Sequence, residues 1–286
     1  MAIVPNSLAW AALEFYGTRV RHKGQWRVHQ WLRNTLRANF DCNLETKRSG
    51  LRWVLNPSDF VQSSFYWTGN YETWDWYHLC KLVKPHSVVF DVGANFGYYS
   101  LLLAAEKDAS QVFAFEPEVE TFSRLQKNIA LNHLEKVVKG IRIGLSDVRE
   151  SAHLSTERGN SGASFIGSAG QTIQLETLDG FCSTNSIEQI DFLKIDVEGH
   201  EMRVLIGGSE MLSRCKPLIL IEINPNALER SGSSAFELQT KLREMGYVLL
   251  IPKRKKLVQF SGNVPSGHLL NIFAIQRSSM SAVSAF

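Results

Sequence analysis

The sequence predicts an α/β protein built on a doubly wound, mostly parallel sheet with helices on both faces, preceded by a helix and hairpin extension. Three observations carry this. Residues 88–97, VVFDVGANFG, read as a buried strand running into a glycine-punctuated turn and then a helix. From residue 88 onward, apolar strand-like runs alternate with helical stretches, the order that builds parallel sheets. Finally, several of those runs end on an acid, which is costly unless that end opens to water or a ligand.

Composition sets the frame. With 286 residues, 44% hydrophobic and 21% charged, the chain can bury a sizeable core, as one main domain with an extension. The expected boundaries are an extension over 1–60, a main domain over 61–277 and a frayed tail over 278–286. Cys42, Cys80, Cys182 and Cys215 are scattered, which argues against structural zinc and a disulfide framework. No apolar run has the length of a membrane span and no signal peptide pattern opens the chain, so a cytoplasmic location is expected.

The extension is basic. Residues 1–40 hold six Arg and Lys against one acid, Glu14, in a chain whose net charge is only +3. Trp26, Trp31, Leu32 and Leu36 approach a helical stripe, predicting a basic amphipathic helix over 25–38. Its plain role is to lie on its own domain. The sharper reading is peripheral membrane or partner docking through residues 19–37. CNLETKRSGLRWVLN at 42–56 alternates around a KRSG turn and predicts a β-hairpin. Eight aromatics crowd 60–77, mostly for packing, with one or two left for a ligand.

The main domain then reads strand 88–93, helix 98–107, strand 111–116, helix 118–133 and strand 137–145. A polar, glycine-rich excursion follows over 146–180. Alternation resumes with a strand at 190–196, a helix from about residue 200, a strand at 217–223 and a helix at 233–245. GYVLLI and LLNIFAIQ close the chain as antiparallel neighbours, and KRKK at 253–256 forms an exposed turn.

The turn at 93–97 has the spacing D-x-G-x-x-x-G, because Asn95 and Tyr98 occupy the later glycine places of a dinucleotide fingerprint. Such a loop suits a ligand whose only anion is a small carboxylate, and S-adenosylmethionine is one. Glu116, 23 residues after Gly93 at the end of the next strand, can accept both ribose hydroxyls. Asp91, Glu116, Asp196 and Glu222 all lie at or next to predicted strand ends, which is where ligands bind in such sheets.

In LKIDVEGHE at 193–201, strand alternation puts Lys194 and Asp196 on one side. Methyl transfer to a hydroxyl needs an aligned donor and acceptor and a base. Asp196, Glu198, His200 or Glu222 could be that base. The same oxygens could instead hold Mg²⁺ or a similar cation, with Asp196 and Glu222 as the ligands. His200 by itself reads better as a helix-cap residue.

These motifs resemble the FkbM family of S-adenosylmethionine-dependent methyltransferases, through DVGANFG (91–97), FEP (115–117), GLSD (144–147), GNSGAS (159–164), KIDVEGHE (194–201) and LILIE (218–222). The resemblance spans roughly residues 60–250. It implies a seven-stranded Rossmann-like methyltransferase sheet and O-methylation of a sugar, glycan or polyketide-type hydroxyl. It further implies that Asp91, Gly93, Asn95 and Gly97 hold the methionine end of the cofactor, Glu116 and Pro117 border the ribose, and Ser146 with Asp147 meet the adenine. Tyr71 and Glu72 would close over the cofactor. Asn160, Lys194, Asp196, Glu198 and Glu222 would face the acceptor.

A nucleic-acid methyltransferase could use the basic N-terminus on phosphates, but it usually carries an N/D-P-P-[YFW] loop where this chain has DVEG. A non-catalytic module that has kept the fold is the remaining alternative, against which the retained acids argue.

Overall fold

The computed structural model describes residues 7–20, 22–35, 42–157 and 160–280. The chain divides into two compact units, residues 1–73 with 157–162 and residues 74–156 with 163–286.

The first unit opens with α1 (Leu8–Arg19), capped by Ser7, whose Oγ accepts from the Trp10 amide at 3.2 Å. It buries Trp10, Leu13 and Gly17. Trp10 Nε1 donates to the Tyr66 hydroxyl at 3.0 Å, and its ring lies 4.5 Å from that of Trp67. A Cβ at Gly17 would collide with the Trp67 carbonyl, so glycine is what allows the close approach.

The second helix, α2 (Gln25–Thr35), departs in part from the expected apolar stripe, with Trp26 and Leu32 only half-buried. It buries His29 and Arg33 and leaves Trp31 63% exposed, while Leu36 lies outside the described residues. The departure has a physical cause. The Arg33 guanidinium stacks 5.3 Å over the Trp67 ring and donates to the Pro57 carbonyl at 2.9 Å. His29 Nε2 donates to the Leu13 carbonyl at 3.2 Å, and burial pushes its pKa down to about 4, so the ring packs as a neutral group.

The predicted hairpin is present as β1 (Leu44–Arg48) and β2 (Leu51–Leu55), paired antiparallel around Ser49 and Gly50, both at positive φ. In α3 (Phe60–Thr68), Asp59 caps the start, its Oδ1 accepting from the Gln62 amide at 2.9 Å. Phe65, Tyr66 and Trp67 are buried, so much of the aromatic cluster serves packing. Because Tyr66 and Trp67 seat α1, this unit runs to Thr73, beyond the expected boundary at residue 60.

The second unit begins with α4 (Thr73–Leu82) and then builds the predicted alternation: β3 (Val88–Val92), α5 (Tyr98–Glu106), β4 (Gln111–Phe115), α6 (Val119–Leu131) and β5 (Val138–Ile141). The expected strand over 137–145 breaks after Ile141, and β6 (Gly144–Ser146) joins a different sheet. The polar excursion supplies the rest of that four-stranded sheet: β7 (Glu150–Glu157), β8 (Asn160–Gly167) and β9 (Gln171–Thr177), in the order β6-β9-β7-β8. Next come α7 (Leu178–Thr184), β10 (Phe192–Ile195), α8 (Glu201–Gly207), α9 (Ser209–Cys215), β11 (Leu218–Ile223), α10 (Pro225–Arg230), α11 (Ala235–Glu244), β12 (Tyr247–Lys253), β13 (Lys256–Gln259) and β14 (Leu270–Gln276). A short 3-10 turn covers Arg277–Ser279, where a frayed tail was expected, and residues 281–286 lie outside the described set.

The main sheet runs β13-β12-β14-β11-β10-β3-β4-β5. Strands β11, β10, β3, β4 and β5 are mutually parallel, and β14 enters antiparallel beside β11 and β12. The seven expected strands are joined by an eighth, β13, which pairs with β12 around the predicted lysine-rich turn. It was missed because KLVQ is short and mostly exposed. The core packs Phe90, Phe113 and Phe115 against Phe181, with Leu193, Ile195, Ile219 and Ile221 beside them. Cys80, Cys182 and Cys215 carry free thiols, and among the described residues no helix is long and apolar enough to cross a membrane.

Candidate active site

The site grows from the pairing of β3 with β10, which sets Lys194 opposite Asp91 and Ile195 opposite Val92. One step beyond, the Asp196 amide donates to the Val92 carbonyl at 3.0 Å. A Cβ at Gly93 would collide with the Asp196 carbonyl, and Gly93 has φ +80°, so both space and backbone conformation require glycine there. The turn continues through Asn95 at φ 50° and Gly97 at φ 94° into α5.

Asp91 is almost completely buried. Its Oδ2 accepts from the Ser100 hydroxyl at 2.6 Å and the Ser100 amide at 3.1 Å, which ties the strand to the first turn of α5. Its Oδ1 has no hydrogen-bond partner among the described residues but faces the Lys194 ammonium at 3.9 Å. Burial raises the Asp91 pKa, opposed by Lys194 and Ser100. Lys194 is the hub: its Nζ donates to Asp196 Oδ2 at 3.0 Å and lies 5.3 Å from the centre of the Tyr99 ring.

At the end of β4, Glu116 holds the glycine turn in place. Its Oε2 accepts from the Asn95 amide and its Oε1 from the Glu118 amide, both at 3.0 Å. Burial nevertheless pushes its pKa up to about 7. Ser146 ends β6, and its hydroxyl donates to Asp147 Oδ1 at 3.0 Å. Partial burial would raise the Asp147 carboxyl, but Ser146 and the Arg203 guanidinium, 3.2 Å away, hold it below the usual range.

Asp196, Glu198 and Glu222 converge: one carboxylate oxygen from each lies within 4.8 Å of the others. They come from the end of β10, the loop after it and the end of β11, adjacent parallel strands. Burial, then the charges of Asp196 and Glu201, push Glu198 up to about 8. His200, buried and beside Arg203, falls to about 4, so at neutral pH it is an uncharged residue at the start of α8 and a weak base.

Sequence reasoning placed Glu201 in the LKIDVEGHE cluster at a strand end but gave it no role of its own. Its Oε1 accepts from the amides of Val197 and Gly199 at 3.2 and 3.1 Å, shaping the loop in which Glu198 and Gly199 both take positive φ. Burial pushes this carboxyl up to about 7. Its place one residue after His200, at the start of α8, was the available signal. Ser100 and Arg203 were missed too, since only the tertiary structure pairs them with Asp91 and Asp147.

Three expected site residues belong to the first unit. Tyr71 and Glu72 follow α3, with Glu72 at φ 42°. Asn160 opens β8, and its Oδ1 accepts from the Gly162 amide at 3.3 Å. The neighbouring Ser161 donates from its amide and hydroxyl to Asp59, at 2.7 and 3.0 Å.

A doubly wound sheet with a glycine turn after its first parallel strand and carboxylates at its strand ends defines the class of nucleoside-cofactor enzymes. Residues 91–249 match the methyltransferase FkbM domain, more than half of the chain, and the chain belongs to that family. The hexuronic acid methyltransferase AglP of Haloferax volcanii is 30% identical over 152 residues, which cover 51% of this chain and 59% of that protein. The chain thus spans about three fifths of that relative's length. The 2-O-methyltransferase NoeI of Sinorhizobium fredii is 25% identical over 66% of this chain and 81% of that one. The solved methyltransferase FkbM of Methylobacillus flagellatus KT aligns at 15% identity with a TM-score of 0.43, covering 73% of this chain and 52% of that one.

Proposed function

We propose that the chain transfers a methyl group from S-adenosylmethionine to a hydroxyl of a sugar, glycan or polyketide-type small molecule. The observation that carries this is the convergence of Asp196, Glu198 and Glu222 at strand ends next to the Gly93 turn. Two relatives support the acceptor class, one named for a hexuronic acid and one for 2-O-methylation.

The residues fit the cofactor. Each Glu116 oxygen takes one backbone amide and retains a second acceptor position, so the buried carboxylate can receive two hydroxyl donors. Gly93, Asn95 and Gly97 would hold the methionine end beside Asp91, Pro117 would border the ribose, and Ser146 with Asp147 would meet the adenine. Tyr71, Glu72 and Asn160 are assigned to cofactor and acceptor on the family resemblance. Bound S-adenosylmethionine supplies a methyl group on a positively charged sulfur.

The chain's own part is to orient the acceptor hydroxyl and take its proton. Lys194 fixes the Asp196 carboxylate through a 3.0 Å hydrogen bond, leaving Asp196 Oδ1 for the acceptor. Glu198, pushed up to about 8, has a proton affinity well matched to general-base work near neutral pH. A second form of the reading rests on the same geometry: three oxygens within 4.8 Å suit a hard divalent cation. Activity lost in chelator and restored by Mg²⁺ would favour the cation; indifference to chelator favours direct base catalysis.

The test is incubation with labelled S-adenosylmethionine and panels of glycans, polyketides and RNA. Label in a glycan or polyketide hydroxyl supports the reading. Label in RNA, or cofactor binding without transfer to any acceptor, favours the nucleic-acid or the non-catalytic alternative.

A further inference from the structure

We propose that the outward faces of α1 and α2 form a docking surface for an anionic lipid bilayer. The inference is independent of the methyl-transfer reading. Four of the twelve exposed large apolar side chains among the described residues fall in the short stretch from Leu8 to Trp31. Leu8 is 92% exposed, Phe15 63%, Trp31 63% and Val28 40%. Leu8 and Phe15 stand seven residues apart on α1, with exposed Ala11 and Ala12 between them, on the side opposite buried Trp10, Leu13 and Gly17. Val28 and Trp31 stand three apart on α2, opposite buried His29 and Arg33. The helix thus buries a histidine and an arginine and half-buries Trp26 and Leu32, while presenting Val28 and Trp31 to water. That arrangement costs free energy unless something covers the face.

Charge says what covers it. Arg19, Lys23 and Arg27 are exposed in the same stretch of chain, and none of them is paired with an acid among the described residues. Glu14, the sole acid in residues 1–40, is engaged by Arg48. The surface therefore joins an apolar patch to unopposed positive charge, the two components of interfacial binding to acidic lipid. A soluble polyanion would satisfy the cations but leave Leu8, Phe15 and Val28 in water.

The experiment mixes the full chain with vesicles of phosphatidylcholine alone, or with part of the lipid replaced by phosphatidylglycerol, and reads co-sedimentation and tryptophan emission. Binding is expected to the anionic vesicles only, to weaken with salt, and to shift emission to the blue. Much of that shift should vanish in Trp31→Phe. Substituting Arg19, Lys23 and Arg27 together with Gln should weaken binding about 100-fold, at about 1 kcal/mol for each cation. Phe15→Ser with Trp31→Ser should weaken it more than about tenfold. Circular dichroism checks that each variant is folded. Failure of the wild-type chain to bind, equal binding to neutral vesicles, or full binding by the folded triple variant would overturn the proposal. Binding to heparin without binding to vesicles would overturn it in favour of a soluble polyanion.

Discussion

Glu116 is buried beside the glycine turn at a cost that can be measured in the free protein. Its folded-state pKa, pushed up to about 7 by burial, stands above the unfolded value of 4.5, so the fold favours the protonated carboxyl. The associated stability is fully present below about pH 4.5 and is lost as pH rises through about 7. At about 1.4 kcal/mol per pH unit, that gap amounts to about 3 kcal/mol. Glu116→Gln removes the titration but not the shape. Its amide keeps one acceptor oxygen, so one of the amides of Asn95 and Glu118 loses a partner, which costs about 1–3 kcal/mol. In urea unfolding without cofactor, the variant should therefore be the less stable protein at about pH 5 and should gain about 2.5 kcal/mol relative to wild type by about pH 8.5. Glu198 and Glu201 titrate in both proteins and cancel in the comparison. An equal stability difference at both pH values would refute the raised Glu116 pKa and the reasoning built on its burial.

Asp196→Asn should lower turnover about 100- to 10,000-fold while leaving S-adenosylmethionine affinity nearly unchanged, as read by labelled transfer and calorimetry; full activity would remove Asp196 from the chemistry. If Glu198 is the base, the wild-type rate should climb as pH rises through about 8, and Glu198→Gln should abolish that limb. A rate profile unaltered by the substitution would exclude Glu198. Gly93→Ala, facing a backbone carbonyl that cannot yield at a residue of positive φ, should lower stability by more than about 1–3 kcal/mol in thermal unfolding, and an unchanged melting temperature would contradict the close approach of the two strands.

Legibility in the sequence followed burial. Strands covered on both faces, such as VVFDV and LILIEI, announced themselves as apolar runs, each with an acid near its C-terminal end. Lys194 and Asp196 could be placed on one side by alternation alone, and they are in fact hydrogen-bonded. The helix α1 was invisible because its alanines and exposed Leu8 and Phe15 blur the contrast between faces. In α2 the pattern held only in part, since Arg33 finds its partners, the Trp67 ring and the Pro57 carbonyl, only in the folded chain. Strands β7 and β8 are largely polar, and the few apolar side chains that they pack against Ile173 and Leu175 (Ala152, Leu154 and Ile166) are too sparse to show as a clear period of two. Glu201 stood in plain sight within KIDVEGHE, but its role depends on two positive φ angles that composition does not encode.

The collision that a Cβ at Gly93 would make with the Asp196 carbonyl has a consequence for how such a chain can vary. The turn that would cradle the cofactor and the acid that would face the acceptor are separated by more than a hundred residues of sequence, yet they are locked together as neighbours across one pair of strands. Helices and the entire second sheet can lengthen, shorten or be rewritten in that interval without altering the distance between that turn and that acid, because the register of β3 against β10 acts as a fixed ruler. The intervening segments can then diverge in sequence while the spacing between Gly93 and Asp196 stays constant.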